Sequence, residues 1–227
     1  MALGLGADFF GVADLAPFRG FRTVPADLLD PYARGVSLGV ALSWDVIENL
    51  VDGPTPHYSH HYSKVNDLLD HLALRVSGAL RKDGRRALPI PASQILDREH
   101  WLGAISHKAV ARMAGLGWQG KSLLLVNPKV GPRLRLVTIL TDLELPADRP
   151  LANQCGQCEE CRKACPAGAI KGTPFEEGYR TRAQAWDARL CTDKLINDFG
   201  HREGVASLIC GLCIKACPFG RKVKAWD

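Results

Sequence analysis

Cys155-Gly156-Gln157-Cys158-Glu159-Glu160-Cys161-Arg162-Lys163-Ala164-Cys165-Pro166 is the stretch that decides the reading, and its ending returns as Cys210-Gly211-Leu212-Cys213-Ile214-Lys215-Ala216-Cys217-Pro218. Cys191 lies between the two runs, and these eight are all the cysteines in the 227 residues. A disulfide framework belongs to small exported domains. The N-terminal Met1-Ala2-Leu3-Gly4-Leu5-Gly6-Ala7-Asp8 has neither the basic segment nor the apolar run of an export signal. Structural zinc uses separated C-x2-C pairs and has no need of a C-x2-C-x2-C-x3-C-P run. Eight thiolates fill two four-thiolate sites with none left over.

The run has the spacing of bacterial ferredoxins, where the fourth cysteine of each run serves the other cluster. That crossing predicts Cys155, Cys158, Cys161 and Cys217 on one [4Fe–4S] cluster. Cys165, Cys191, Cys210 and Cys213 then hold the second. Three closely spaced thiolates cover one face of a cluster, so the fourth has to arrive from a distant part of the chain. Folding of this segment is therefore expected to depend on cluster insertion. Pro166 and Pro218 turn the chain away after each last ligand.

Outside the cysteines the composition is that of an ordinary globular chain, 46% hydrophobic and 23% charged. The net charge of +5 is spread out, with +3 in residues 151–227. It lacks the dense basic face of a nucleic-acid binder, and cluster thiolates would offset it further. Gly35 to Trp44, the longest uncharged stretch considered, is far short of the ~20 residues of a spanning helix. No membrane role is expected, and the cytoplasm is the expected compartment. The prolines of Leu145-Pro146-Ala147-Asp148-Arg149-Pro150 mark a boundary where the composition changes. Two domains are expected, 1–148 and 149–227.

In the first of these, Tyr58, Tyr62, Val65, Leu68, Leu69, Leu72, Val76 and Leu80 form one face of a long helix, which Gly84 ends. A shorter helix is expected over Asp45–Asp52, and another from the Ser106 cap to Ala114, stopped by Gly115. Strands are expected at Phe9–Ala13, Gly35–Ser43, Ala87–Ile90, Leu123–Val126 and Arg133–Thr141. The last two flank Asn127-Pro128-Lys129-Val130-Gly131-Pro132, which reads as a hairpin connection. Strands mixed with helices give an α+β or α/β class.

Gly115-Leu116-Gly117-Trp118-Gln119-Gly120-Lys121-Ser122 satisfies both the P-loop and the dinucleotide strings. Both mechanisms need a strand before the glycines and a helix after them. Here a helix leads in and a strand leads out, so neither applies. What remains is a glycine turn permitting close backbone approach, with Lys121 beside it. His57, His60 and His61 at the start of the long helix read as solvated or packed residues. Tyr58 and Tyr62 sit on its apolar stripe, although a tyrosine hydroxyl can also face a cofactor cavity. His107 and Lys108 open the 106–114 helix, where they either face a ligand or form an exposed first turn.

Ala114 to Pro128, Leu140-Thr141-Asp142-Leu143, both cysteine runs and the N-terminal Leu5-Gly6-Ala7-Asp8-Phe9-Phe10-Gly11-Val12-Ala13 together resemble the epoxyqueuosine reductase family. The resemblance implies a nitroreductase-like N-terminal α/β core with a C-terminal bacterial-ferredoxin-like double [4Fe–4S] module. It implies cobalamin as a further cofactor, lying along Lys108, Gly115, Leu116, Gly117, Trp118, Gly120 and Lys121. The clusters would pass electrons to it from a low-potential donor such as ferredoxin or flavodoxin. The family's acidic proton donor falls on Trp101 here, and an indole is no general acid. Tyr62 and His107 are the catalytic candidates, with Asp97 and His100 as alternatives. A family arginine falls on Lys108, which keeps the charge but not the planar fork. Members acting on tRNA continue into helical repeats beyond the cysteine runs, whereas this sequence ends at Asp227. A small-molecule substrate is therefore expected and tRNA is not. The alternatives are an electron-transfer or activating protein without its own substrate, and an FMN reductase on the same core.

Overall fold

The computed structural model describes residues 2–175 and 181–221. Among these, the strands are β1 (Phe9–Asp14), β2 (Arg34–Ala41), β3 (Ala87–Ile90), β4 (Trp118–Gln119), β5 (Leu125–Val126) and β6 (Leu134–Thr141). The α-helices are α1 (Trp44–Glu48), α2 (Pro56–Lys82), α3 (His107–Met113), α4 (Glu160–Lys163), α5 (Ala188–Lys194) and α6 (Leu212–Ala216). This is a mixed α+β chain, as the sequence pattern requires. Two compact units are formed: Met1–Val40, Val65–Leu116 and Arg135–Leu151 make the first, and Ala41–Lys64, Gly117–Leu134 and Ala152–Asp227 the second.

The first unit is built on a sheet of order β1-β2-β6-β3. β1 pairs antiparallel with β2, Phe9 opposite Gly39, and β3 pairs antiparallel with β6, Ala87 opposite Thr141. The two central strands are apolar on both faces: Val36, Leu38, Val137, Ile139 and Leu140 are all buried. Strands covered on both sides lose the in–out alternation and read as continuous apolar runs. The edge at β1 is blunted locally, because Asp148 accepts a hydrogen bond from Val12 N at 2.8 Å and returns one to Val12 O. The turn after α3 crosses β1 where Gly11 sits; a β-carbon there would lie 2.1 Å from Ala114 O.

Helix ends follow their sequence signals. Ser106 Oγ accepts from Ala109 N at the start of α3. Past its end Gly115 has φ +72°, and Leu116 N reaches back to Ala111 O. For α2, Thr55 Oγ accepts from Tyr58 N ahead of Pro56 at the first helical position. Gly84 and Arg85 close its far end on the carbonyls of Arg81 and Leu80. Its stripe is buried at Tyr58, Val65, Leu69, Leu72 and Val76, while Leu68 lies outside it, 39% exposed.

Three expectations change. The cysteine segment does not stand alone beyond residue 148; one junction does fall nearby, at 151–152, but residues 41–64 and 117–134 join the cysteines in the second unit. The hairpin expected between Leu123–Val126 and Arg133–Thr141 is replaced by one between β4 and β5, with Trp118 opposite Val126. Leu123 has φ +63°, a left-handed conformation that cannot continue a strand, so pairing starts only at Leu125. Residues 127–131 close separately: Asn127 Oδ1 accepts from Lys129 N and Val130 N, and Asn127 bridges Gly131. Finally, α1 stops at Glu48, ahead of Gly53-Pro54, rather than reaching Asp52.

Candidate iron–sulfur centre

Within the second unit, each cysteine sits at a turn or short helix that aims it. Asn153 Oδ1 accepts from Cys155 N at 2.8 Å, and Asn153 Nδ2 donates to Gln119 O and Phe175 O. Cys158 N closes a turn on Cys155 O, with Gly156 between them at φ +48°. Cys161 rides on α4 and Cys165 follows it, its sulfur accepting from Ala169 N at 3.3 Å. Asp187 caps α5 by accepting from Leu190 N, and this places Cys191 on that helix. Cys213 lies on α6, and Cys217 leaves its end with an extended backbone before Pro218. Gly211 precedes α6 with φ +86°; a β-carbon there would meet Leu50 and Tyr58 at 2.6 and 2.8 Å.

All eight thiols are half-buried and none is in a disulfide. Burial pushes the Cys161 thiol up to about 11, with further repulsion from Cys155 and Cys158. Burial likewise raises Cys217 to about 11, where Cys155 and Cys161 add to the effect. Cys210, also raised to about 11 by burial, faces Cys191 and Cys165. Cys213 is raised furthest, by burial first, then by Cys210, Cys191 and Cys165, with Cys161 as the smallest contributor. The neighbours thus fall into two fours, and the last member of each long run sits with the other run's cysteines. Four thiolates side by side in a dry site need a polycation among them. Among the described residues no three His, Cys, Asp or Glu side chains converge on a single-ion site. A cubane, with a separate iron for each thiolate, holds its ligands farther apart than one ion does. Donor type, number and grouping therefore fit two four-thiolate clusters.

Charged side chains brace this arrangement; sequence reasoning singled out Lys121 but missed Arg133 and Lys215. Arg133, 2% exposed, donates to Phe219 O at 3.0 Å and to Lys215 O at 3.2 Å, and pairs with Glu48 at 2.9 Å. Lys215 in turn donates to Glu48 O and Leu50 O. Lys121, 4% exposed, donates to Cys158 O at 3.1 Å. An arginine inside an otherwise apolar strand, as in Leu134-Arg135-Leu136 and its predecessor Arg133, was the only signal in the sequence, and it does not say what the side chain meets.

The positions expected to line cobalamin have other partners. Trp118 is buried, its ring edge-on to Phe219 at 4.8 Å. A β-carbon at Gly117 would lie 2.2 Å from Val126 O, and one at Gly120 would lie 2.7 Å from Val126 Cγ2 and 3.6 Å from Cys155 Sγ. The close approach that these glycines permit is to β5 and the cysteine loop. In the first unit, Leu116 is buried and a β-carbon at Gly115 would meet Arg149 O at 3.0 Å. These contacts show what the α-carbons of the glycines approach, which is Arg149 O, β5 and the cysteine loop. Lys108 is half-buried on α3.

The catalytic candidates separate as well. Tyr62 belongs to the second unit, half-buried and edge-on to Tyr58 at 6.4 Å, and His107 belongs to the first. His107 Nε2 donates to Pro91 O at 3.0 Å, and Nδ1 accepts from the Thr138 hydroxyl at 2.8 Å. Burial, reinforced by Arg135 and Lys108, pushes its pKa down to about 4. It is a neutral packing group with both nitrogens occupied, not an acid. Asp97 is held ionised, first by the His100 backbone N–H, then by the His100 ring and Arg22. Trp101 beside it has φ +53°.

Comparison with known proteins bears on this centre directly. Residues 154–220 match a family model described as a 4Fe-4S double cluster binding domain, so the chain carries a two-cluster [4Fe–4S] domain. An epoxyqueuosine reductase of Vibrio cholerae is 29% identical over 96% of the chain and 58% of its own length. A reductive dehalogenase structure described as B12-dependent superposes with a TM-score of 0.77 at 23% identity, covering 98% of this chain and 31% of that one. An epoxyqueuosine reductase solved with an epoxyqueuosine-modified tRNA-Tyr stem loop superposes at 0.64 and 20% identity, covering 97% and 64%. The chain spans less than two thirds of the length of these relatives. They overturn the expectation of a small-molecule substrate with tRNA set aside. That expectation leaned on the helical repeats that tRNA-acting members carry beyond their cysteine runs and on the diffuse net charge, and neither reports what the residues present can contact. No finding supports FMN. Among the described residues no helix is long and apolar enough to cross a membrane.

The His107 assignment predicts a ring that keeps its proton on Nε2 and does not titrate above pH 5. Long-range nitrogen-15 NMR of the imidazoles checks it; a His107 midpoint between pH 6 and 7 contradicts the buried neutral form.

Proposed function

Because the chain is epoxyqueuosine reductase-like in sequence over almost its whole length, we propose that it is an iron–sulfur reductase acting on an epoxyqueuosine-type nucleoside in a tRNA stem loop. Cys155, Cys158, Cys161 and Cys217 hold one [4Fe–4S] cluster in this reading; Cys165, Cys191, Cys210 and Cys213 hold the other. The observation that carries it is the likeness to an epoxyqueuosine reductase across 96% of the chain, with the two-cluster domain at residues 154–220. The clusters supply one-electron transfer at low potential, and the electrons come from a ferredoxin or flavodoxin.

The chain's own residues prepare the site for that task. Asn153 and the Cys155–Cys158 turn hold two sulfurs in place before a cluster arrives, which lowers the ordering cost of insertion. The Arg133–Glu48 pair fixes the end of α6 and hence the direction of Cys217. A nitroreductase-like core in the first unit is part of the proposal and rests on the family resemblance. Cobalamin is the proposed electron acceptor, supported by the superposition on a dehalogenase described as B12-dependent. Tyr62 is the proposed proton donor, since Asp97 is ionised and His107 has both nitrogens engaged.

Two tests follow from this assignment. Cys217→Ser should lower iron content by about half and damage the cluster of Cys155, Cys158 and Cys161; damage confined to the other cluster contradicts the crossing. For the substrate, cluster-loaded protein is incubated with reduced flavodoxin, cobalamin and an epoxyqueuosine-bearing tRNA-Tyr stem loop, without oxygen. Mass spectrometry should show a nucleoside lacking one oxygen only when cobalamin is present. No product from loaded protein, or equal product without cobalamin, contradicts the proposal.

A further inference from the structure

Lys121 is the outstanding charge of the second unit. It is 4% exposed, and among the described residues no carboxylate lies within ion-pair distance of it. Among the described residues its hydrogen bond goes to Cys158 O at 3.1 Å. Arg133, equally buried and also beside this group of cysteines, has Glu48 to offset it at 2.9 Å. A buried ammonium bonded to a carbonyl favours an anion nearby. The backbone at residues 120–121 abuts the cysteine loop, since a β-carbon at Gly120 would come within 3.6 Å of Cys155 Sγ. A four-thiolate cluster held by this group of cysteines would be such an anion.

We propose that Lys121 is a positioning residue that sets the reduction potential of the cluster held by Cys155, Cys158, Cys161 and Cys217. The inference rests on the ligand assignment made above. Each electron delivered by the ferredoxin or flavodoxin makes the cluster one charge more negative and breaks no bond. A fixed cation in a water-poor setting stabilises that reduced form more than the oxidised one, and so raises the potential. Its hydrogen bond to Cys158 O delivers the charge to this cluster. At the second cluster Arg202 acts on Cys210 but is itself paired with Asp52 at 2.9 Å, and Cys165 Sγ accepts from the backbone N–H of Ala169 at 3.3 Å.

The test is an anaerobic redox titration followed by electron paramagnetic resonance, after iron and sulfide have been measured on the same samples. Cys158→Ser marks which signals belong to the first cluster. Lys121→Gln keeps a donor for Cys158 O and removes the charge. It should shift the reduction equilibrium of the first cluster at least tenfold towards the oxidised form, which is about 59 mV for one electron, and leave the second cluster in place. Lys121→Arg should restore most of the shift. An unmoved first cluster in a fully loaded Lys121→Gln protein overturns the inference and leaves the ligand assignment standing. A wild-type protein without clusters removes the assignment itself. If Lys121→Gln does not load, Lys121→Arg decides: loading with a near-native potential supports a role for charge, and failure to load shows a role in shape and overturns the proposal.

Discussion

Burying four thiolates beside one another is unfavourable unless positive charge lies among them. Desolvation and mutual repulsion both oppose the thiolate form, and both are large here: Cys161, Cys210 and Cys217 are pushed to about 11. Left empty, such a site would stay protonated and exert no pull on the chain. Filled by iron, the same burial becomes an advantage, because the bonds then form in a dry setting and solvent cannot compete for the metal. The second unit has little else to rely on. Its helices α4, α5 and α6 span only Glu160–Lys163, Ala188–Lys194 and Leu212–Ala216, too short to be stable by themselves.

The parts of that unit that come from far away in sequence make sense in the same terms. Residues 41–64 and 117–134 bring Glu48, Tyr58, Lys121 and Arg133 to a segment that is poor in large apolar side chains. Arg133 gathers carbonyls at the end of α6, Gly211 leaves room for Leu50 and Tyr58, and Gly131 leaves room for Phe219 O, which a β-carbon would approach to 2.0 Å.

The sequence made the cysteine chemistry legible because the spacing rule is local and strict: a C-x2-C-x2-C turn can present its sulfurs in few ways, and the surplus cysteine has to go elsewhere. The main sheet was also readable, since β1, β3 and β6 are bounded by turn residues at nearly the expected positions. The β4–β5 hairpin was not, because nothing in Ser122-Leu123-Leu124 announces a left-handed leucine. Glycines 117 and 120 signalled close approach correctly, but a glycine does not name what approaches. What the α-carbons of these two approach is Val126 and Cys155. Charge averaged over 227 residues was the weakest guide, and the stem-loop-bound relative shows why a partner should not be excluded on it.

The central claim is that all eight thiols ligate iron in two cubanes. Iron and acid-labile sulfide, measured on protein prepared without oxygen, address it most directly. The account predicts about eight of each per chain, in a brown sample that bleaches on reduction. A colourless protein with stoichiometric zinc and no labile sulfide would contradict it.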